Sequence, residues 1–184
     1  DRTGTMDIPV TDRFRFAMHL ANREAMRWNH SEVDTEHVLL GLIKSGTCGA
    51  VKVMKHLNME TNPRAIRREI EQFVRAGGEV FATGRLPLKM RVENVLQQAM
   101  QEARLMQSDA TGTEHLLLGL LHEDDGVASF LLAGYGMTLE RAREVILELR
   151  CCPDCKGSGQ YVGLSVVESC RRCAGSGKVE LVSA

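Results

Sequence analysis

Neither sign of charge dominates this 184-residue chain: 23 basic and 24 acidic side chains leave a net charge of −1. No long-range field therefore draws it to nucleic acid or to an anionic membrane. No apolar run approaches the roughly 20 residues that a spanning helix needs, and the opening DRTGTMDIPV lacks the charged-then-apolar layout of a secretory signal. A soluble, cytoplasmic protein is expected. Strand-forming stretches are scarce over residues 12–150, which leaves an all-α body. Also missing is a phosphate-binding loop of the form G-x4-G-K-[ST], whose consecutive amides, lysine and hydroxyl hold phosphates and magnesium. The near miss at Gly175-Ser176-Gly177-Lys178 has Val179 in place of the hydroxyl and Arg172 in place of the first glycine. No nucleotide is expected to bind.

What is present is a repeat. TEHVLLGLI at residues 35–43 returns as TEHLLLGLL at residues 113–121, 78 residues on, a spacing that suits one small folded unit. Ahead of the first word, Phe14, Ala17, Met18, Ala21, Ala25 and Trp28 make one stripe of a helix, and the same offset gives Val92, Val95, Leu96, Ala99, Ala103 and Met106. The central alanines let a neighbouring helix come close. Thr35 and Thr113 stand where N-caps are expected, with Glu36 and Glu114 in the first turn, where a carboxylate suits the helix dipole. Leu39, Leu40, Leu42 and Ile43, and Leu117, Leu118, Leu120 and Leu121, are assigned to the core. After each word come a Gly-bearing break and a short apolar helix, near residues 51–57 and 127–133. A fourth helix starts at Pro63, carries Ile66, Ile70 and Phe73, and stops at Gly77-Gly78. Its counterpart starts at Thr138, carries Leu139, Ala142, Ile146 and Leu149, and has slipped register by two.

The two words, the alanine-rich helix before each, and GVASFLLAGYGMTLERARE at residues 126–144 resemble the duplicated N-terminal domain of the Clp family of AAA+ protein unfoldases, over residues 12–150. The resemblance implies two pseudo-symmetric four-helix Clp-N repeats. It also implies a module that receives substrates and adaptors, separate from the ATPase motor. In some bacterial members the Glu of the T-E-H word helps hold phosphorylated arginine, which carries a tentative binding role onto Thr35, Glu36, Thr113 and Glu114. A helix N-terminus suits a phosphate and a carboxylate suits a guanidinium. Asp34, where the family has the Gly seen at Gly112, is expected to repel the phosphate, which favours Glu114. His37 and His115 have no second ligand four residues on, and a satisfied, half-buried imidazole is the expected fate.

Five of the six cysteines fall in the last 34 residues, a clustering that favours metal over disulfides. Cys152-Pro-Asp-Cys155-Lys-Gly-Ser-Gly and Cys170-Arg-Arg-Cys173-Ala-Gly-Ser-Gly are two C-x2-C knuckles, enough to close one tetrahedron. One structural Zn2+ is assigned to Cys152, Cys155, Cys170 and Cys173, with Cys151 left outside by the spacing. The doubled C-x2-C-x-G-x-G resembles the cysteine-rich region of DnaJ-type co-chaperones, which has four such words and two ions. No His-Pro-Asp signature accompanies it. Residues 160–168 are expected to form a β-hairpin and residues 178–182 an extended end. Lys156, Arg171, Arg172 and Lys178 have only Tyr161 for base stacking, so nucleic acid is not expected.

The expected organisation is an N-terminal extension (1–11), a first repeat (12–78), a linker (79–88), a second repeat (89–150) and a zinc-binding tail (151–184). The expected function is that of a non-enzymatic accessory or adaptor in Clp protein quality control. Its partners would be protein clients, adaptors or Clp ATPase and protease subunits, with no nucleotide and no membrane. The alternative is a thiol-redox or holdase chaperone acting through the C-x2-C tail.

Overall fold

The computed structural model describes residues 8–77, 84–162 and 167–181. These residues form helices α1 (Asp12–Arg27), α2 (Thr35–Lys44), α3 (Gly49–His56), α4 (Pro63–Ile70), α5 (Met90–Leu105), α6 (Thr113–Leu121), α7 (Val127–Gly134) and α8 (Leu139–Arg150). A small antiparallel ribbon follows, β1 (Gln160–Val162) paired with β2 (Val167–Ser169). The first three helices start 78 residues before their counterparts α5, α6 and α7. The slip in the fourth is seen in its buried residues, where Ile66 and Ile70 correspond to Ala142 and Ile146. Among the described residues no helix is long and apolar enough to cross a membrane.

Both predicted stripes face inward. Phe14, Ala17, Ala21, Ala25 and Trp28 are buried on the first, and Val92, Val95, Ala99, Ala103 and Met106 on the second, with Met18 and Leu96 packed at the margin. The glycine inside each repeated word completes this packing. A Cβ on Gly41 would sit 2.3 Å from the Ala17 carbonyl oxygen, and one on Gly119 would sit 2.3 Å from that of Val95. The helices therefore cross backbone against backbone, a closeness that no larger residue permits.

The two copies share one core. Residues leading into α1 pair with the second copy, Val10 bridging Thr111, while residues leading into α5 pair with the first, Leu88 bridging Val33. Helix α3 packs on α6 and α7 packs on α2. Each copy thus lends its leading segment and third helix to the other.

Two expectations are corrected, and others fall outside the described residues. Phe73 was placed on the buried stripe of the fourth helix, but α4 ends at Ile70 and Phe73 is 52% exposed. It packs edge-on to the exposed Phe130 of α7, with ring centroids 5.0 Å apart. Leu121 was assigned to the core and is only partly buried at the end of α6. The predicted stop at Gly78, residues 79–83 of the linker, Leu164 and Val166 of the hairpin and Val182 lie outside the described residues.

The stripes also carry a polar residue that hydrophobic periodicity does not pick out. Glu24 and Glu102, again 78 apart, are 2% and 1% exposed. Glu24 accepts from Lys44 Nζ at the end of α2 (2.6 Å) and from Arg67 of α4. Glu102 bonds His122 Nε2 just after α6 (2.7 Å) and Arg143 of α8 (3.0 Å at Nε). Burial pushes the Glu24 carboxyl up, but the hydrogen bonds and charges of Lys44 and Arg67 outweigh it and hold the group below its ordinary value. Glu102 is held low in the same way by Arg143 and His122, against burial. Each carboxylate ties three helices at one point.

Removing either carboxylate leaves two partly buried side chains, Lys44 and Arg67 or His122 and Arg143, without their partner. Glu24→Ala and Glu102→Ala are each expected to lower unfolding stability by about 2–4 kcal/mol, below the cost for a wholly buried pair because these partners are partly exposed. Urea denaturation followed by far-UV circular dichroism checks this.

Candidate functional site

The T-E-H word begins one residue inside its helix. The N-caps are Asp34 and Gly112, and Thr35 and Thr113 are the first helical residues, which corrects the expected capping role. Capping is supplied instead by the histidine. The Asp34 N–H donates to His37 Nδ1 (2.8 Å) and the Gly112 N–H to His115 Nδ1 (2.9 Å). That bond fixes the tautomer: each ring keeps its proton on Nε2. His37 Nε2–H then donates to His30 Nδ1 (2.8 Å), whose own Nε2–H meets the Arg75 carbonyl (2.9 Å). In the second copy, His115 Nε2–H donates to Ser108 Oγ (3.0 Å), which also accepts from Arg150 (2.7 Å). Both rings are fully buried, more deeply than expected. Burial, with the charge of Arg150 adding to it at His115, lowers His37 to about 3 and His115 to about 4. His30, Glu36 and His37 lie within ligand distance of one another, but their ring nitrogens are already committed to this chain of hydrogen bonds.

The glutamates of the word open onto two pockets built from equivalent positions. Glu36 lines a cavity of about 520 Å3 together with Asp34, Phe73, Arg75, Lys89 and Arg91. Glu114 lines a cavity of about 40 Å3 with Thr11, Arg13, Cys48, Gly49 and Leu181. Lys89 and Arg91 stand 78 residues after Thr11 and Arg13, so one design appears open in the first copy and nearly closed in the second. Burial, reinforced at Glu36 by the charge of Asp34, pushes both glutamate carboxyls above their ordinary value. Thr35 Oγ1 is buried with no hydrogen-bond partner among the described residues, whereas Thr113 Oγ1 accepts from the Ala50 N–H (3.3 Å) and lies 3.5 Å from Glu114.

Asp34 does not stand alone beside the open pocket, as its sequence position suggested. Lys89 Nζ bonds it at 2.8 Å and Arg91 Nε approaches at 3.3 Å. These cations offset its repulsion of an anion. They were missed because they lie across the linker in sequence, although the Lys89-x-Arg91 pair at the start of α5 was a legible signal of local positive charge.

A third cluster lies in the tail. The four cysteines Cys152, Cys155, Cys170 and Cys173 are buried with their sulfurs all within 4.8 Å of one another. The Cys152–Cys170 and Cys155–Cys173 separations are 3.8 and 3.7 Å, the edge of a tetrahedron with metal–sulfur bonds of about 2.3 Å. The Gly159 and Gly177 N–H groups donate to Cys155 and Cys173 sulfurs at 3.3 and 3.2 Å. Gly177 has φ +71°, and a Cβ there would fall 2.2 Å from the Gly157 carbonyl oxygen, so the knuckles meet backbone to backbone. Of the near-miss phosphate loop, Gly177 thus turns its amide toward sulfur and Gly175 donates to the Cys170 carbonyl. Cys151 is exposed, outside the cluster, and Cys48 is a buried N-cap of α3.

The architecture is that of a duplicated α-helical repeat domain with paired pockets at the starts of α2 and α6. The Clp repeat (R) N-terminal domain model matches residues 9–135, and the chain belongs to that family. A curated relative, negative regulator of genetic competence ClpC/MecB of Bacillus subtilis, is 36% identical over 139 residues, 76% of this chain and 17% of that protein. The chain therefore spans about a sixth of the length of that relative. Among solved structures, the N-terminal domain of the chaperone ClpD from Arabidopsis thaliana aligns with TM-score 0.61 at 21% identity, covering 79% of this chain and 96% of that one. The complex of the ClpV N-domain with VipB peptide aligns with TM-score 0.59 at 17% identity, covering 75% and 86%. The family match ends before the cysteine cluster.

Unfolded imidazoles take up a proton near pH 6.5, whereas His37 and His115 resist until about 3 and about 4. Unfolding therefore absorbs protons in that window, and stability falls as pH drops through it. A His37→Gln/His115→Gln chain keeps an acceptor for each N-cap amide. Its urea midpoint is expected to vary less than the parent's between about pH 6.5 and pH 5.

Proposed function

We propose that this chain is a non-enzymatic docking module of a Clp-type protein quality-control system, acting in the cytoplasm on protein clients, adaptors or Clp subunits. The observation that carries this is the open cavity at Glu36, where Lys89 and Arg91 stand beside a buried carboxylate at the start of α2. Such a site matches a side chain that is cationic at one point and anionic at another. A guanidinium can bond the Glu36 carboxylate, and an attached phosphate can meet the lysine and arginine. Phosphoarginine on a client protein is that chemistry. The peptide partner of the structurally similar ClpV N-domain supports a protein ligand for this fold.

The boundaries 12–78, 79–88 and 89–150 remain our division of the helical part, with residues 1–11 ahead of it and 151–184 as the tail. The tail's four sulfurs fit a single structural Zn2+ by their spacing, their burial and the amides aimed at them. When bound, the ion would cross-link the two knuckles and hold the β1–β2 ribbon.

Isothermal titration with a phosphoarginine peptide tests the docking site. The parent is expected to bind, and Glu36→Ala to weaken binding by about tenfold or more, the usual scale for losing a charge-assisted pair. An unaltered affinity in Glu36→Ala, or no binding by the parent, sinks the assignment. For the tail, elemental analysis is expected to give one zinc per chain and about none in a Cys155→Ser/Cys173→Ser chain, since two thiolates do not close a structural site.

A further inference from the structure

The two equivalent pockets differ in what walls them: the second is closed in part by a side chain from the tail of this same protein. Leu181 is 6% exposed and lines the pocket with Thr11, Arg13, Cys48, Gly49 and Glu114. No described residue of the tail lines the larger pocket beside Glu36.

Leu181 reaches the pocket along a defined path from the cysteine cluster. Cys173 receives the Gly177 N–H, and the Gly177 carbonyl accepts from the Cys152 N–H at 2.9 Å. Lys178 bridges Cys151 antiparallel, and the Val179 N–H donates to the Arg150 carbonyl at 2.7 Å. Val179 packs against the four cysteines, and Leu181 belongs to the helical core two residues later. The cluster holds one end of this strap and the pocket holds the other.

We propose that Leu181 is a tethered plug that occupies the second-copy pocket, and that a metal ion bound by the four cysteines sets the plug in place. With the ion bound, Cys170 and Cys173 are fixed to Cys152 and Cys155 at the end of α8, and the strap is directed over Glu114. Without it, a short bridge to residues 150–152 is all that aligns the strap, and the pocket opens. The metal state then decides whether the protein presents one docking pocket or two. That consequence rests on the docking function proposed above, whereas the plug itself does not.

Cys48, 1% exposed and lining the same pocket as Leu181, reports on the plug without any ligand. The test uses the full chain carrying Cys151→Ser, loaded with zinc, with iodoacetamide modification of Cys48 followed by peptide mass. Leu181→Asp with metal retained, and separately the parent stripped by chelator, are expected to label Cys48 about ten- to a hundredfold faster, the scale set by losing one buried leucine from a closed state. Leu181→Met is expected to label as slowly as the parent. Equal labelling of Cys48 in parent and Leu181→Asp overturns the plug, and equal labelling with and without metal overturns its control by the ion. Hydrogen exchange at residues 39–42 guards against global unfolding: those amides are expected to stay protected in Leu181→Asp, and their loss would mark a purely structural leucine and overturn the proposal. Failure of phosphoarginine binding would leave these outcomes untouched, so the two readings fail separately.

Discussion

A carboxylate buried at the same place in each copy organises the helical body. Glu24 and Glu102 sit on stripes otherwise made of alanine and larger apolar groups, and each gathers one nitrogen-bearing side chain from the end of the second helix and an arginine from the fourth. Such a group can stay charged in the interior only when its partners arrive together, so it couples the positions of three helices rather than adding a contact to one. Backbone-close crossings at Gly41 and Gly119 supply the matching steric constraint. Between them, these features hold α2 and α6, whose first turns line the pockets, against the rest of the helical body.

The pocket glutamates show the opposite electrostatics. Glu24 and Glu102 have their charged forms stabilised, while burial acts against the charged forms of Glu36 and Glu114. Carboxylates held at such a disadvantage contribute little to holding the fold together, which agrees with the binding role proposed above for Glu36. Thr35, with a buried hydroxyl lacking a partner among the described residues, belongs to the same description. The histidines of the repeated word are different. Their rings close the helix starts through a chain of hydrogen bonds, and they are framework.

Much of this was legible in sequence because it is periodic. The helical stripes, the 78-residue offset, the slip in the last helix and the pairing of β1 with β2 all follow from spacing that a single chain displays. The cysteine cluster was legible for the same reason, since the knuckle words carry their own turn geometry. What escaped depends on distance across the fold. Lys89 and Arg91 reach Asp34 from the far side of the linker, and Leu181 reaches Glu114's pocket from the end of the tail. Capping by Asp34 and Gly112 rather than the threonines was missed because the N3 histidine was not considered as an acceptor. Phe73 was misplaced because its stripe runs on past the residue where α4 ends. Glu24 and Glu102 did leave a trace: glutamate, the Lys44/His122 pair and the Arg67/Arg143 pair all recur near the repeat offset.

The exchange of leading segments has an evolutionary reading. Val10 completes Thr111 and Leu88 completes Val33, so neither half of the duplication owns all the edges it requires. A solitary ancestor with a single copy would have needed a second identical molecule to supply the missing seam, and would have met it about a twofold axis. Joined in one polypeptide, the halves need not stay identical, and the roomy cavity on one side and the small one on the other show that they have not.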